Sequence, residues 1–216
     1  MGTDTRAVVL AAEDRRAVAD ALRIVTRASV DRPVLRSVIV RDGLAMVTDT
    51  YVGVALPSLA GLPEGAWSAD ALAMAAKGAG RDALRIAPAD VDTLRVDRID
   101  GTTVRHMGPE RLAEDYAGGV PPASIVGTFH VGRVDDAPPN VAHIYREAVA
   151  AVEADDYRPE LAGFSPDRIA DVLRARPSSR APGMAAPVRI LPRGLRGAVV
   201  TDAGKPYAVL MPMRDA

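Results

Sequence analysis

Few side chains in this 216-residue sequence stand where they could make or break a bond. The three histidines, His106, His130 and His143, are scattered without the close spacing that metal ligation needs. Asp135-Asp136 and Asp155-Asp156 are acidic pairs with the right chemistry for a hard cation. Each sits beside an expected loop or helix end, where solvated capping is the ordinary role of such a pair. Gly78-Ala79-Gly80 lacks the lysine and the spacing of a phosphate loop. No Gly-x-Ser-x-Gly elbow occurs. With no cysteine, disulfides, thiolate zinc sites and cysteine nucleophiles are excluded. The sequence holds no catalytic constellation, and neither enzymatic activity nor a cofactor is expected from it.

What remains is chemistry of binding. Arg16, Arg23 and Arg27 are spaced i, i+7 and i+11. On a helix they form one stripe opposite Val18, Leu22 and Val25, and such a stripe can follow a phosphate backbone without reading its sequence. A solvated helix face is the alternative, and Asp20 lies within the stripe. Lys77 and Arg81 add to a basic face at a second helix. Arg174 sits between Asp167 and Asp171, a weaker candidate for the same contact. The segment from Asn140 carries Arg146 but also Glu147 and Glu153, and shows no basic face. The second binding feature is the end of the chain, where an alternating apolar strand from Pro206 runs into Met211-Pro212-Met213-Arg214. Proline cannot donate to a ladder, so pairing stops there and adaptable methionines are left at a sheet end. An ordinary sheet core with an exposed tail is the alternative.

These residues need elements to hold them. Arg6–Ala11 reads as a strand and Glu13–Ala28 as a helix, with Val18, Ala21, Leu22, Val25 and Ser29 on one face. Leu35–Val40 and Leu44–Val47 read as strands joined at Arg41-Asp42-Gly43, followed by a strand at Tyr51–Leu56. A second β-α-β-β-β pattern follows. Its helix is capped by Ser68 and ends near Gly78 and Gly80, and its strands are expected at 83–87, 93–98 and 102–106, with Asp100-Gly101 as a turn. Beyond the loop-like 110–122 come a strand at 125–134, a helix at 140–154, a strand at 160–164 and a Ser165-capped helix at 166–175. Three strands close the chain at 188–191, 196–201 and 207–211. The fold class is α+β, with domains expected at 1–122 and 123–216.

Composition adds boundaries. Apolar residues make up 48 % and charged residues 25 %, both usual for a globular chain. The net charge of −1 gives no bulk field for nucleic acid, so any such contact must be a local patch. No apolar run approaches the ~20 residues that span a bilayer, and Met1–Arg6 does not read as a signal peptide. A cytoplasmic location is expected, with no membrane partner. Lys77 and Lys205 are the only lysines, a bias that fits a GC-rich coding sequence.

Two stretches carry a family resemblance. Arg32–Tyr51, with Pro33, paired strands and Thr48-Asp49-Thr50-Tyr51, resembles the bacterial β sliding clamp, the processivity factor of replicative DNA polymerase. Phe164–Leu173, followed by three strands and Met-Pro-Met-Arg, is similar to the final half-domain of that family. The resemblance implies a DNA-clamp fold of repeated β-α-β-β-β halves, with helices on one face of antiparallel sheets. It implies a two-domain form lacking the family's first domain, with the first half of domain two divergent. It also implies a pocket for the clamp-binding motif of polymerases, joining Thr48, Thr50, Tyr51 and Val52 to Pro122, Val209, Met211, Pro212 and Met213. The Arg-Leu of the family pattern is Val52-Gly53 here. The implied partners are duplex DNA, bound without sequence preference, and a DNA polymerase or other clamp-binding-motif proteins. The implied assembly is a homo-oligomeric ring, a trimer before a dimer. A phage of a GC-rich bacterium fits the composition and the reduced architecture. The rival expectation is a non-encircling protein of the same fold that binds replication or repair factors or inhibits a host clamp.

Overall fold

The computed structural model describes residues 7–26, 32–103, 124–135, 139, 141–154, 164–176, 188–192 and 197–212. The first repeat is β1 (Val8–Leu10), α1 (Ala12–Thr26), β2 (Ser37–Arg41), β3 (Leu44–Thr48) and β4 (Val52–Ala55). In α1, Val18, Ala21, Leu22 and Val25 are buried at helical spacing, as is Ile24. The β2–β3 hairpin turns through Asp42 and Gly43, with φ of 50° and 72°. Two consecutive positive φ values are what a two-residue hairpin of matching twist requires.

The second repeat is β5 (Gly65–Ser68), α2 (Ala69–Gly78), β6 (Ala83–Pro88), β7 (Thr93–Ile99) and β8 (Ile125–Gly132). Ser68 caps α2, its hydroxyl accepting from Ala71 N–H at 3.3 Å. Gly80 follows at φ 57°. Arg15 of α1 donates to the carbonyls of Ala76 and Gly80, which would otherwise be orphaned at that helix end. The expected strand at 102–106 is not the third strand of this repeat. Residues 101–103 form a helical turn, because Asp100 caps it. One carboxylate oxygen accepts from Thr102 N–H at 2.8 Å and the other from Thr103 N–H at 3.2 Å. Asp-Gly, read as a hairpin turn, is here a helix start. The third strand is β8, which pairs antiparallel with β7. The expected boundary near residue 122 falls outside the described residues.

The rest comprises α3 (Val141–Glu153), α4 (Pro166–Arg174), β9 (Val188–Pro192), β10 (Ala198–Asp202) and β11 (Lys205–Leu210). Among the described residues all paired strands are antiparallel. They form a four-stranded sheet, β1-β6-β7-β8, and a seven-stranded sheet, β5-β2-β3-β4-β11-β10-β9. The larger sheet joins distant parts of the chain through the β4–β11 pair. Leu22, Leu84, Val96, Val54, Leu210 and Val172 belong to one core, so both sheets share the α1, α2 and α4 layer.

Helix α3 lies elsewhere. On β10, Ala198 and Val200 face the main core, whereas Val199 packs with Ala148 of α3. On β11, Ala208 and Leu210 face the main core and Val209 faces α3. Successive strand residues point to opposite faces, so α3 covers the other side of the large sheet. Its buried positions are Ala142, Ala148 and Ala151, small enough to let the helix sit close to the strands. No helix among the described residues is long and apolar enough to cross a membrane.

Candidate partner-binding clefts and basic face

The corner between β3 and β4 is built by its own side chains. The Asp49 carboxylate is buried and accepts from Tyr51 N–H at 3.0 Å and Val52 N–H at 2.9 Å. Thr50 N–H donates to the Thr48 hydroxyl at 3.1 Å. Together these bonds hold Thr50 at φ 80°, a left-handed conformation that a β-branched residue rarely adopts. Tyr51 is thereby turned outward, 55 % exposed.

The closing strand docks on this corner. β11 pairs with β4 in the register Val209↔Gly53 and Leu210↔Val52. Met211 N–H donates to the Tyr51 carbonyl at 2.8 Å. Helix α4 completes the junction from the other side. Its Arg168 forms an ion pair with Asp49 and stacks over the Tyr51 ring at 5.5 Å.

Two clefts open here, sharing Thr50 and Met211. The larger, of about 640 Å³, lies among Tyr51, Phe164, Ser165, Arg168, Met211 and Pro212. The smaller, of about 190 Å³, lies among Leu35, Met46, Thr48, Gly53, Val209 and Met211, and is closed on one side by Ile144 and Tyr145 of α3. A dry apolar cavity of about 150 Å³ takes a benzene ring, so the smaller cleft has room for one large apolar side chain. Gly53 presents no side chain to it, and a Cβ there would meet the end of Met46 at 3.4 Å.

Of the residues expected to form a pocket, Thr48, Thr50, Val52, Val209 and Met211 line the smaller cleft, and Thr50, Tyr51, Met211 and Pro212 the larger. Pro122 and Met213 lie outside the described residues. Sequence reading missed Leu35, Phe164, Ser165, Arg168, Ile144 and Tyr145. Ser165-Pro166-Asp167 marks the start of α4, which carries Arg168 close to the corner, but no spacing in the sequence announces that meeting.

Those of the residues expected to contact DNA that are described lie on α1, α2 and α4 and the turn after α2, and α1 packs against both other helices. Arg16, Lys77 and Arg81 are exposed. Arg23 is exposed but paired with Asp20 at 3.3 Å. Arg174 is paired with Asp171 at 2.9 Å, as the flanking acids suggest. Arg27 lies outside the described residues. His143 sits 3.6 Å from Glu147, both exposed on α3. Among the described residues no group of three or more His, Cys, Asp or Glu stands where it would hold a metal ion.

No protein-family model and no curated protein matches the sequence. Solved structures do match. The chain superposes over its whole length on the β sliding clamp of C. crescentus, with a TM-score of 0.53, 13 % identity and 67 % of that chain covered. A sliding clamp of Bartonella birtlesii, bound to griselimycin, gives 0.52 with 13 % identity over 100 % of this chain and 68 % of that one. DNA polymerase III subunit beta of Borrelia burgdorferi, in complex with a natural product, gives 0.55 with 8 % identity, over 99 % and 66 %.

The chain has the sliding-clamp fold. At such identities the likeness is one of fold, in a divergent form that spans about two thirds of each of these clamps. The expected fold class, α+β with repeated β-α-β-β-β units, agrees with this. Helix α3 lies in the stretch expected to diverge from the family, and the face it packs on the large sheet is apolar rather than basic.

Proposed function

We propose that this protein acts as a DNA sliding clamp, a processivity factor without a catalytic step that holds duplex DNA and tethers a DNA polymerase. The observation that carries the reading is the junction of β11 with the β3–β4 corner, where Met211 joins two clefts fit for the apolar anchors of an extended peptide. Tethering makes each rebinding of the polymerase intramolecular, which raises processivity without new chemistry. Arg16, Lys77 and Arg81, with Arg23 on α1 and Arg27 from the same sequence stripe, would face the phosphates. Division into two domains, expected at 1–122 and 123–216, is part of the proposal, with β8 counted to the first through its pairing with β7, as is a closed homo-oligomer in which three such chains, or two, encircle the duplex. A cytoplasmic, phage-borne protein suits the reading.

The test is removal of 211–216. The shortened chain should keep its oligomer size and lose stimulation of a clamp-dependent polymerase. Full stimulation by a folded shortened chain would place the docking site elsewhere.

A second reading has its own observation. Arg23 and Arg174 are each paired with an aspartate of their own helix, and the net charge is −1. That weak basic face favours a non-encircling protein that uses the clefts to bind replication or repair factors or to block a host clamp.

A further inference from the structure

Arg168 gives the larger cleft a chemical preference that its apolar lining does not. Thr50, Tyr51, Phe164, Ser165, Leu210, Met211 and Pro212 are all uncharged, so among the described lining residues Arg168 is the ionised one. Its carboxylate partner does not face the cleft. The Asp49 side chain is only 4 % exposed, and one of its oxygens is already held by two backbone N–H groups. Arg168 lies in front of it with 32 % of its side chain accessible. A guanidinium carries five N–H donors in a planar fork, and the single ion pair to Asp49 leaves donors for an incoming acceptor. The Tyr51 ring, 5.5 Å from the guanidinium, helps to hold the fork at the cleft wall. Asp167, next to it on α4, is exposed but does not line the cleft.

We propose that Arg168 selects the partner: the occupant of the larger cleft is a peptide segment carrying an aspartate or glutamate beside its bulky apolar side chains. This rests on the reading of the two clefts as a partner-binding site. A nucleic-acid strand fits less well, because tracking phosphates takes several cations and the described lining of this cleft offers one. The apolar floor at Met211 and Phe164 asks for a side chain that can be buried, with the acid at the rim. Neither family resemblance nor sequence spacing singles out Arg168. Its role follows from the way α4 meets the β3–β4 corner.

The experiment measures fluorescence anisotropy of two labelled synthetic peptides on the full chain. The peptides share two large apolar side chains and differ only in one Asp or Asn between them. The wild-type protein should bind the Asp peptide about three- to fivefold tighter, the scale of a partly exposed charge pair. The preference should fade as salt is raised. Arg168→Gln should weaken the Asp peptide more than the Asn peptide, so that the preference disappears. Arg168→Lys should retain part of the preference. Equal affinities on the wild-type protein would overturn the inference while leaving the partner-binding reading intact. So would an Arg168→Gln protein that weakens both peptides equally, since Arg168 would then be only a structural tie to Asp49. Failure of both peptides to bind the folded wild-type protein would overturn the inference and the partner-binding reading together. The wild-type comparison needs no variant, so it decides the matter even if Arg168→Gln does not fold.

Discussion

At the scale of single residues, Arg23 and Asp20 pose the sharpest question about DNA. Their 3.3 Å pair lies on the exposed face of α1, where water and salt weaken it. Asp20 therefore acts mainly as a competitor for phosphate. Asp20→Ala should tighten DNA binding and steepen the log–log salt slope by about one unit, the equivalent of one more phosphate contact. Arg16→Ala, Arg23→Ala and Arg27→Ala combined should flatten that slope. A salt titration of duplex binding reads both, and a slope unchanged in either variant would dismiss the stripe. Gly197 is a different case, in which backbone leaves no choice. It sits at φ 99°, and a Cβ there would approach the Leu210 carbonyl oxygen to 2.3 Å. Gly197→Ala must push β10 away from the end of β11 or unwind that end. A loss of about 1–3 kcal/mol is expected, read as a lower denaturation midpoint. Peptide binding should weaken too, because the displaced residue adjoins Met211.

At the scale of elements, the α4–β11 joint is where stability and pH meet. Tyr207 is buried on β11 and donates its hydroxyl to the Val172 carbonyl of α4 at 3.2 Å. Burial, and then the charge of Asp202, push its pKa up to about 12. The folded state therefore holds the phenol proton to higher pH than the unfolded chain, whose tyrosines titrate near 10. The stability this group contributes is complete below about pH 10 and is lost as pH rises toward 12. Tyr207→Phe should be less stable at neutral pH, for want of the hydrogen bond, and should show a shallower alkaline fall. Equal alkaline slopes for the two proteins would exclude Tyr207 as the titrating group. The same scale explains what the sequence makes legible. Periodicity in α1, the Asp42-Gly43 hairpin, the Ser68 cap and the closing strands are local signals, and each element stands where its signal lies. Asp100-Gly101 is local too, but one dipeptide serves a hairpin and a helix cap equally well. The choice fell to Thr102 and Thr103, whose N–H groups the Asp100 carboxylate accepts. The placement of β8 beside β7, and of α3 on the outer side of the large sheet, depends on tertiary pairing that no local pattern encodes. Arg168 was hidden for the same reason: its partner Asp49 is far away in sequence, and only the fold brings the two together.

At the scale of the whole molecule, the issue is whether copies of the chain close around DNA. The large sheet ends at β9, which pairs with β10 and has no second strand partner among the described residues. The small sheet ends at β1, which likewise pairs only with β6 among them. Open strand edges are templates for pairing with another chain, and an edge of this kind on each of the two sheets suits a head-to-tail assembly that closes if the rotation per copy divides a circle. The proposed ring therefore predicts a concentration-dependent oligomer, with monomers on dilution, in light scattering after size-exclusion chromatography. A species that stays monomeric at high concentration would exclude the ring and leave the non-encircling reading. The oligomer alone is not sufficient, since a stack of chains could form without enclosing anything. Retention on DNA separates the two. A closed ring loaded on a circular duplex has no end to leave by and should remain through a high-salt wash that screens its phosphate contacts. Linearising that circle should release it. A protein held only by Arg16 and its neighbours would wash off both forms alike, because screening acts on contacts and not on topology.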